Sequence, residues 1–169
     1  MQPNTAPMHR LFMRLPLLLA ATLAACGGGD DTGNGLADKY VGVWASPCTD
    51  LSAALGRPNS YKTLLTLKKT ADAAYSSEGG NTEWANATCA GGGTPILGES
   101  GTTVFTIVGT KVVGSDTVDK LNFGAAPSLR KSISMVSADG RSLRLGSDAS
   151  VFDADGYPST LYPTVYTKQ

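Results

Sequence analysis

The sequence predicts an all-β fold, an antiparallel meander of about eight strands closed into a small barrel, with one short helix near residues 50–56. Three observations carry this expectation. Short β-branched and aromatic runs recur at near-regular spacing from residue 39 onward, as they do in up-and-down barrels and sandwiches. Clusters of Gly, Asp, Asn and Pro separate those runs, which is the composition of turns. No long helix is legible between them.

The folded domain is expected to span residues 39–169. Lys39-Tyr40-Val41-Gly42-Val43-Trp44 has the density of a strand, with Gly42 marking a bend or the close approach of another side chain. Thr49 to Pro58 reads as one or two helical turns. Thr49 or Asp50 caps the start, Gly56 closes it and Pro58 blocks continuation. Leu51 and Leu55 then share a face, and the helix is expected to lid one end of the β structure. Tyr61, Thr63, Leu65 and Leu67 alternate with Lys62, Thr66 and Lys68 in a half-buried strand. Ala73-Ala74-Tyr75 and Glu83-Trp84-Ala85 flank Glu78-Gly79-Gly80-Asn81, which has the composition of a hairpin loop.

Beyond Cys89 the segment Ala90 to Pro95 is irregular. Thr102 to Val108 and Lys111 to Val113 form an apolar, β-branched run with Gly109 as a bulge. Gly114-Ser115-Asp116 turns into Thr117 to Phe123, and Gly124 to Pro127 turns again. Leu129, Ile133 and Met135 alternate with Arg130, Ser132 and Ser134, a two-faced strand. Asp139-Gly140 is the hairpin turn into Leu143-Arg144-Leu145. The last strand, Leu161 to Thr167, puts Tyr162, Thr164 and Tyr166 on one face, and Pro163 makes it an edge or closing strand.

Ahead of the domain, Arg10 and Arg14 precede an apolar run from Leu15 that is too short for a bilayer span. That layout is a secretory signal, residues 1–25. Leu23-Ala24-Ala25-Cys26 resembles the lipobox of bacterial lipoproteins. The resemblance covers the signal and the new N-terminus alone. It implies cleavage before Cys26, diacylglycerol on its sulfur and acylation of its amine, as by palmitate. The alternative is an ordinary signal peptide with Cys26 incidental. Residues 26–38, rich in Gly and acid, then form a flexible tether. In enterobacterial lipoproteins an Asp directly after the lipidated Cys favours inner-membrane retention, and Gly27 stands there instead. The resemblance thus implies anchorage to a Gram-negative outer membrane, facing the periplasm.

Loss of the signal removes His9, the only histidine, and leaves two fewer bases against the 14 acids. A near-neutral chain carries no electrostatic footprint for nucleic acid. Ser-His-Asp and Cys-His chemistry is excluded without histidine. Paired carboxylates remain as an acid and a base, but Asp50, Asp116 and Asp139 occupy cap or turn settings. No enzyme is expected. Asp153-Ala154-Asp155-Gly156 resembles the interior of a calcium loop, lacks the closing Glu, and reads more simply as a turn. Gly91-Gly92-Gly93 lacks the Lys-Ser/Thr of a nucleotide loop. No metal or other cofactor is expected. With Cys26 taken by lipid, Cys48 and Cys89 are an even pair in an oxidising compartment, either a disulfide or two free thiols, with the disulfide favoured.

Gly42-Val43-Trp44 resembles the G-x-W with which lipocalins and related small barrels begin. The resemblance covers the first strand and the strand count, and implies a lipocalin-like barrel carrying a small apolar ligand. It also implies that Trp44 plugs the closed end beside a basic side chain from a late strand. No Arg lies in the last strand, so Lys168 or Arg144 would take that place. The alternative is that Trp44 is a core aromatic of an unrelated barrel. The expected function is a non-enzymatic, membrane-anchored module binding a small apolar or amphipathic molecule, with Trp44, Trp84, Tyr162 and Tyr166 as lining residues. The alternative is an envelope interaction or inhibitor protein, acting through loops at 91–93 and 153–158.

Overall fold

The computed structural model describes residues 35–96 and 101–169. The segments read as a signal, residues 1–25, and as a tether, as far as residue 34 and with Cys26 among them, lie outside the described residues. The domain takes in the last residues assigned to the tether. Ala37 is fully buried and its N–H donates to the Asp72 carbonyl at 2.9 Å. Asp38–Tyr40 is a single 3-10 turn where a strand is predicted, tied down by Lys69 at 3.0 Å from Asp38.

The strands are β1 (Gly42–Ala45), β2 (Thr49–Asp50), β3 (Ser60–Ala71), β4 (Ala74–Trp84) and β5 (Thr94–Ile96). They continue with β6 (Thr102–Val113), β7 (Asp116–Phe123), β8 (Arg130–Val136), β9 (Ser142–Leu145) and β10 (Tyr166–Lys168). Eight of them close an antiparallel barrel in the order β1-β3-β4-β6-β7-β8-β9-β10, with β10 paired back onto β1. The fold is thus the small all-β barrel that the strand spacing predicts. β2 and β5 pair with the outer ends of β3 and β4, so that this long hairpin continues past the barrel as a four-stranded extension.

Cys48 and Cys89 are disulfide-bonded, with sulfurs 2.06 Å apart. The bond ties the β1–β2 connection to the chain after β4. Closing a loop of 41 residues in sequence stabilises the fold by about 4 kcal/mol in the chain-entropy model. The helix α1 (Ser52–Leu55) sits in the same extension and buries no residue, so it lids nothing. Its ends follow the sequence: the Asp50 carboxylate accepts the Ser52 N–H at 2.8 Å, and Gly56 stops it in the left-handed conformation.

Two expectations are corrected by register. Gly79-Gly80 is strand, not turn: it pairs with Leu65 and Leu64 inside the β3–β4 ladder, which reverses instead at Asp72-Ala73. A Cβ on Gly79 would meet the Leu65 side chain at 3.4 Å, so the missing side chain makes room inside the barrel. The predicted last strand shrinks to β10, because residues 146–165 first cross the outer face of β7 and β8. There Tyr157, Val118 and Ile133 form a second small core, and Leu161 is left as a lone bridge to Gly146.

That crossing strap also decides which way β8 faces. Arg130, Ser132 and Ser134 pair with Phe123, Leu121 and Asp119 on the inner face, while Ile133 and Met135 face the strap. Lys111 holds the strap through Asp153, and Lys120 and Lys131 lie 5.0 and 5.1 Å from the Tyr157 ring.

At the other wall, Gly42 has φ +139°, and a Cβ there would meet Cε of Lys168 at 2.7 Å. The Lys168 stem crosses this glycine so that its ammonium lies 5.2 Å from the Trp44 ring. Gly42→Ala is expected to destabilise the barrel by about 1–3 kcal/mol through backbone strain and this contact. Urea unfolding measures it, and an unchanged midpoint would show that the close approach carries no constraint.

Candidate binding cavity

A cavity of about 660 Å³ runs from the barrel interior to the strap beside the start of β8, within the roughly 300–1,000 Å³ of small-molecule pockets. Its wall follows from the period of two along each strand. Leu65 and Leu67 come from β3, Tyr75 and Ser77 from β4, Phe105 from β6, and Leu121 and Phe123 from β7. Leu143 and Leu145 of β9 complete it. Ser77 and Ser132 bring aliphatic hydroxyls to this wall, beside the phenol of Tyr75.

The cavity opens where the wall is low. β9 and β10 have 4 and 3 residues, against 12, 11 and 12 for β3, β4 and β6. The strap supplies the rim there, through Asp148, Phe152, Pro158 and Tyr162, and runs beside the start of β8 at Arg130 and Lys131.

The floor is closed by Tyr40 and Trp44, both fully buried. The Trp44 indole N–H donates to the Tyr40 carbonyl at 2.7 Å. The Tyr40 hydroxyl donates to the Asp119 carboxylate and lies 2.6 Å from Oγ of Ser134. Lys39 places Nζ 2.6 Å from Oδ2 of the same carboxylate, so the buried charge of Asp119 is both paired and hydrogen-bonded, as burial demands. Burial, reinforced by Tyr75 and Asp119, pushes the Tyr40 phenol far above its ordinary value. Burial does the same to Tyr75.

From this floor an aromatic ladder climbs one wall to the rim. Tyr40 stacks on Tyr75 at 4.5 Å, Tyr75 on Phe105 at 5.4 Å, and Phe105 meets Phe123 at 5.0 Å. The Arg130 guanidinium ends it, 5.2 Å from the Phe123 ring. Tyr75, Phe105, Phe123 and Arg130 are successive cross-strand neighbours, so the register assembles the ladder. Such aromatic pairs add about 0.5–1.5 kcal/mol each beyond their burial.

Of the four residues expected to line the site, Tyr162 does so, at the rim. Its hydroxyl donates to the Asp148 carboxylate, and that bond raises the phenol above its ordinary value. Trp44 closes the floor instead of lining the cavity, and Tyr166, half-buried, packs against the core cluster to which Trp44 belongs. Trp84 stands off the barrel on the four-stranded extension. Its indole N–H donates to the Gly91 carbonyl at 3.0 Å, and Gly93 lies so close that a Cβ would meet the ring at 2.5 Å. The reason is strand length: β4 outruns the barrel, carrying its last residue past the rim. Cys26 lies outside the described residues.

The Asp153–Gly156 segment is a turn, closed by Gly156 N–H to the Asp153 carbonyl at 2.9 Å. The Asp153 carboxylate is taken by Lys111 and by the Tyr157 N–H, which hold it below the usual carboxylate range. No group of three or more metal-ligating acid, His or Cys side chains occurs among the described residues. No protein-family model, curated protein or solved structure matches this chain.

Proposed function

We propose that this protein is a lipid-anchored envelope module that holds one small apolar or amphipathic molecule in its barrel and catalyses no reaction on it. The observation that carries this reading is the apolar cavity, closed at the Trp44 floor and open at the Tyr162 rim. A wall of leucines and aromatic rings makes apolar contact favourable at roughly 25 cal/mol per Å² removed from water. The placement of Lys168 over Trp44 supports the lipocalin-like reading, since a basic side chain from the last strand sits on the tryptophan of the first. The Leu23-to-Cys26 lipobox supports anchorage through Cys26, at the outer membrane facing the periplasm.

Titration of the purified protein with the neutral fluorophore N-phenyl-1-naphthylamine tests the reading. One-to-one, saturable binding is expected, and Ser77→Trp, which fills the cavity from its wall, is expected to weaken it by about tenfold or more. Circular dichroism checks that the variant keeps its fold. Absence of saturable binding, or equal binding by the filled variant, overturns the reading and favours the loop-mediated envelope interaction.

A further inference from the structure

We infer that the ligand is an anionic amphiphile, whose tail lies along the aromatic ladder and whose carboxylate-type head is met at the rim by Arg130. This rests on the cavity reading above and adds the charge and orientation of the ligand. Seven basic side chains of the described domain pair with acids: Lys39, Arg57, Lys68, Lys69, Lys111, Lys120 and Arg144. Two cations reach the cavity lining, Arg130 and Lys131. Lys131 is occupied, donating to the Asp155 carbonyl at 2.5 Å and lying over Tyr157. Arg130 has no acid partner among the described residues.

Its position fits an anion in three ways. The cross-strand pairing of Arg130 with Phe123 puts it on the inner face, at the open end of the ladder. Its guanidinium lies over the Phe123 ring, which holds the plane while leaving edge N–H donors available for two parallel bonds to one carboxylate. The acid on the lining, Asp148, is held by the Tyr162 hydroxyl and forms no ion pair with Arg130. At the other end, the floor is sealed by the Tyr40–Asp119–Lys39 network. A tail therefore enters first, and the head stays at the rim. A free inorganic anion would gain nothing from the apolar wall, so the tail and the head are recognised together.

The test compares dodecanoate, dodecanol and dodecylamine as competitors of the naphthylamine probe at neutral pH. A charge-assisted bidentate contact at an exposed rim predicts that dodecanoate binds about tenfold more tightly than dodecanol, and dodecylamine more weakly than either. In Arg130→Gln the acid-to-alcohol ratio is expected to fall close to one, while Arg130→Lys keeps part of it. Arg57→Gln, which removes a charge on the extension, is the control and leaves the ratio as it was. Inorganic phosphate alone is expected not to displace the probe. Equal affinities for the three chains, or a ratio unmoved by Arg130→Gln, overturn the head-group assignment while the cavity reading stands. Failure of the probe itself to bind overturns both.

Discussion

Replacing Asp119 by alanine is expected to cost about 3 kcal/mol of stability, near the lower end for breaking a buried charged pair. The Asp119 side chain is 6% exposed and faces two donors, the Tyr40 hydroxyl and the Lys39 ammonium. Its removal strips a charge-assisted bond from a hydroxyl that is sealed in the floor and keeps only Ser134. Lys39 limits the damage, because its side chain is 43% exposed and water can solvate the orphaned ammonium. The same asymmetry predicts a small cost, under about 1 kcal/mol, for Lys39→Ala. Asp119→Asn, which still accepts from Tyr40, falls between the two. Urea unfolding followed by circular dichroism orders the three variants. Near-equal losses for Lys39→Ala and Asp119→Ala would show that the salt link, not the buried hydroxyl bond, holds the floor.

The barrel was legible where a local signal decides the outcome. Gly109, Gly114 and Gly140 each need a positive φ, and each falls where the sequence puts a bulge or a turn. Gly79-Gly80 has turn composition as well, yet Leu64 and Leu65 pair across it, and the ladder of the long β3–β4 hairpin outweighs local propensity. β8 shows the same limit from another side. Its alternation of Ile133 and Met135 with Ser132 and Ser134 is plain, but alternation does not say which face is inside. The strap settles that, by covering the apolar face from outside with Tyr157. The cavity wall was harder still to read. Tyr75, Phe105 and Phe123 are far apart in sequence and meet only through two ladders, β4 with β6 and β6 with β7. Trp84, the most conspicuous aromatic in that region of the chain, lies beyond the barrel because strand lengths, not composition, fix where the rim falls.

Raising the pH above about 10 is expected to destabilise the domain steeply, because two stacked phenols, Tyr40 in the floor and Tyr75 in the wall just above it, are built in as neutral groups. Burial raises both above the ordinary tyrosine value. A raised folded value means that the unfolded chain releases its phenolic protons first. Stability is therefore fully present below about pH 10 and falls as pH climbs toward the folded values. Each phenol contributes a slope of about 1.4 kcal/mol per pH unit in that window, so the pair contributes close to 3. Tyr75→Phe keeps the ring that stacks between Tyr40 and Phe105 and removes one ionisable group, so its slope is expected to be about half. Urea midpoints across the alkaline range measure this, with tyrosinate absorbance reporting ionisation alongside. Cooperative appearance of tyrosinate with unfolding is the expected result. A flat stability curve above pH 10, or the same slope in Tyr75→Phe, would mean that water reaches these phenols in the folded barrel and that the floor is open.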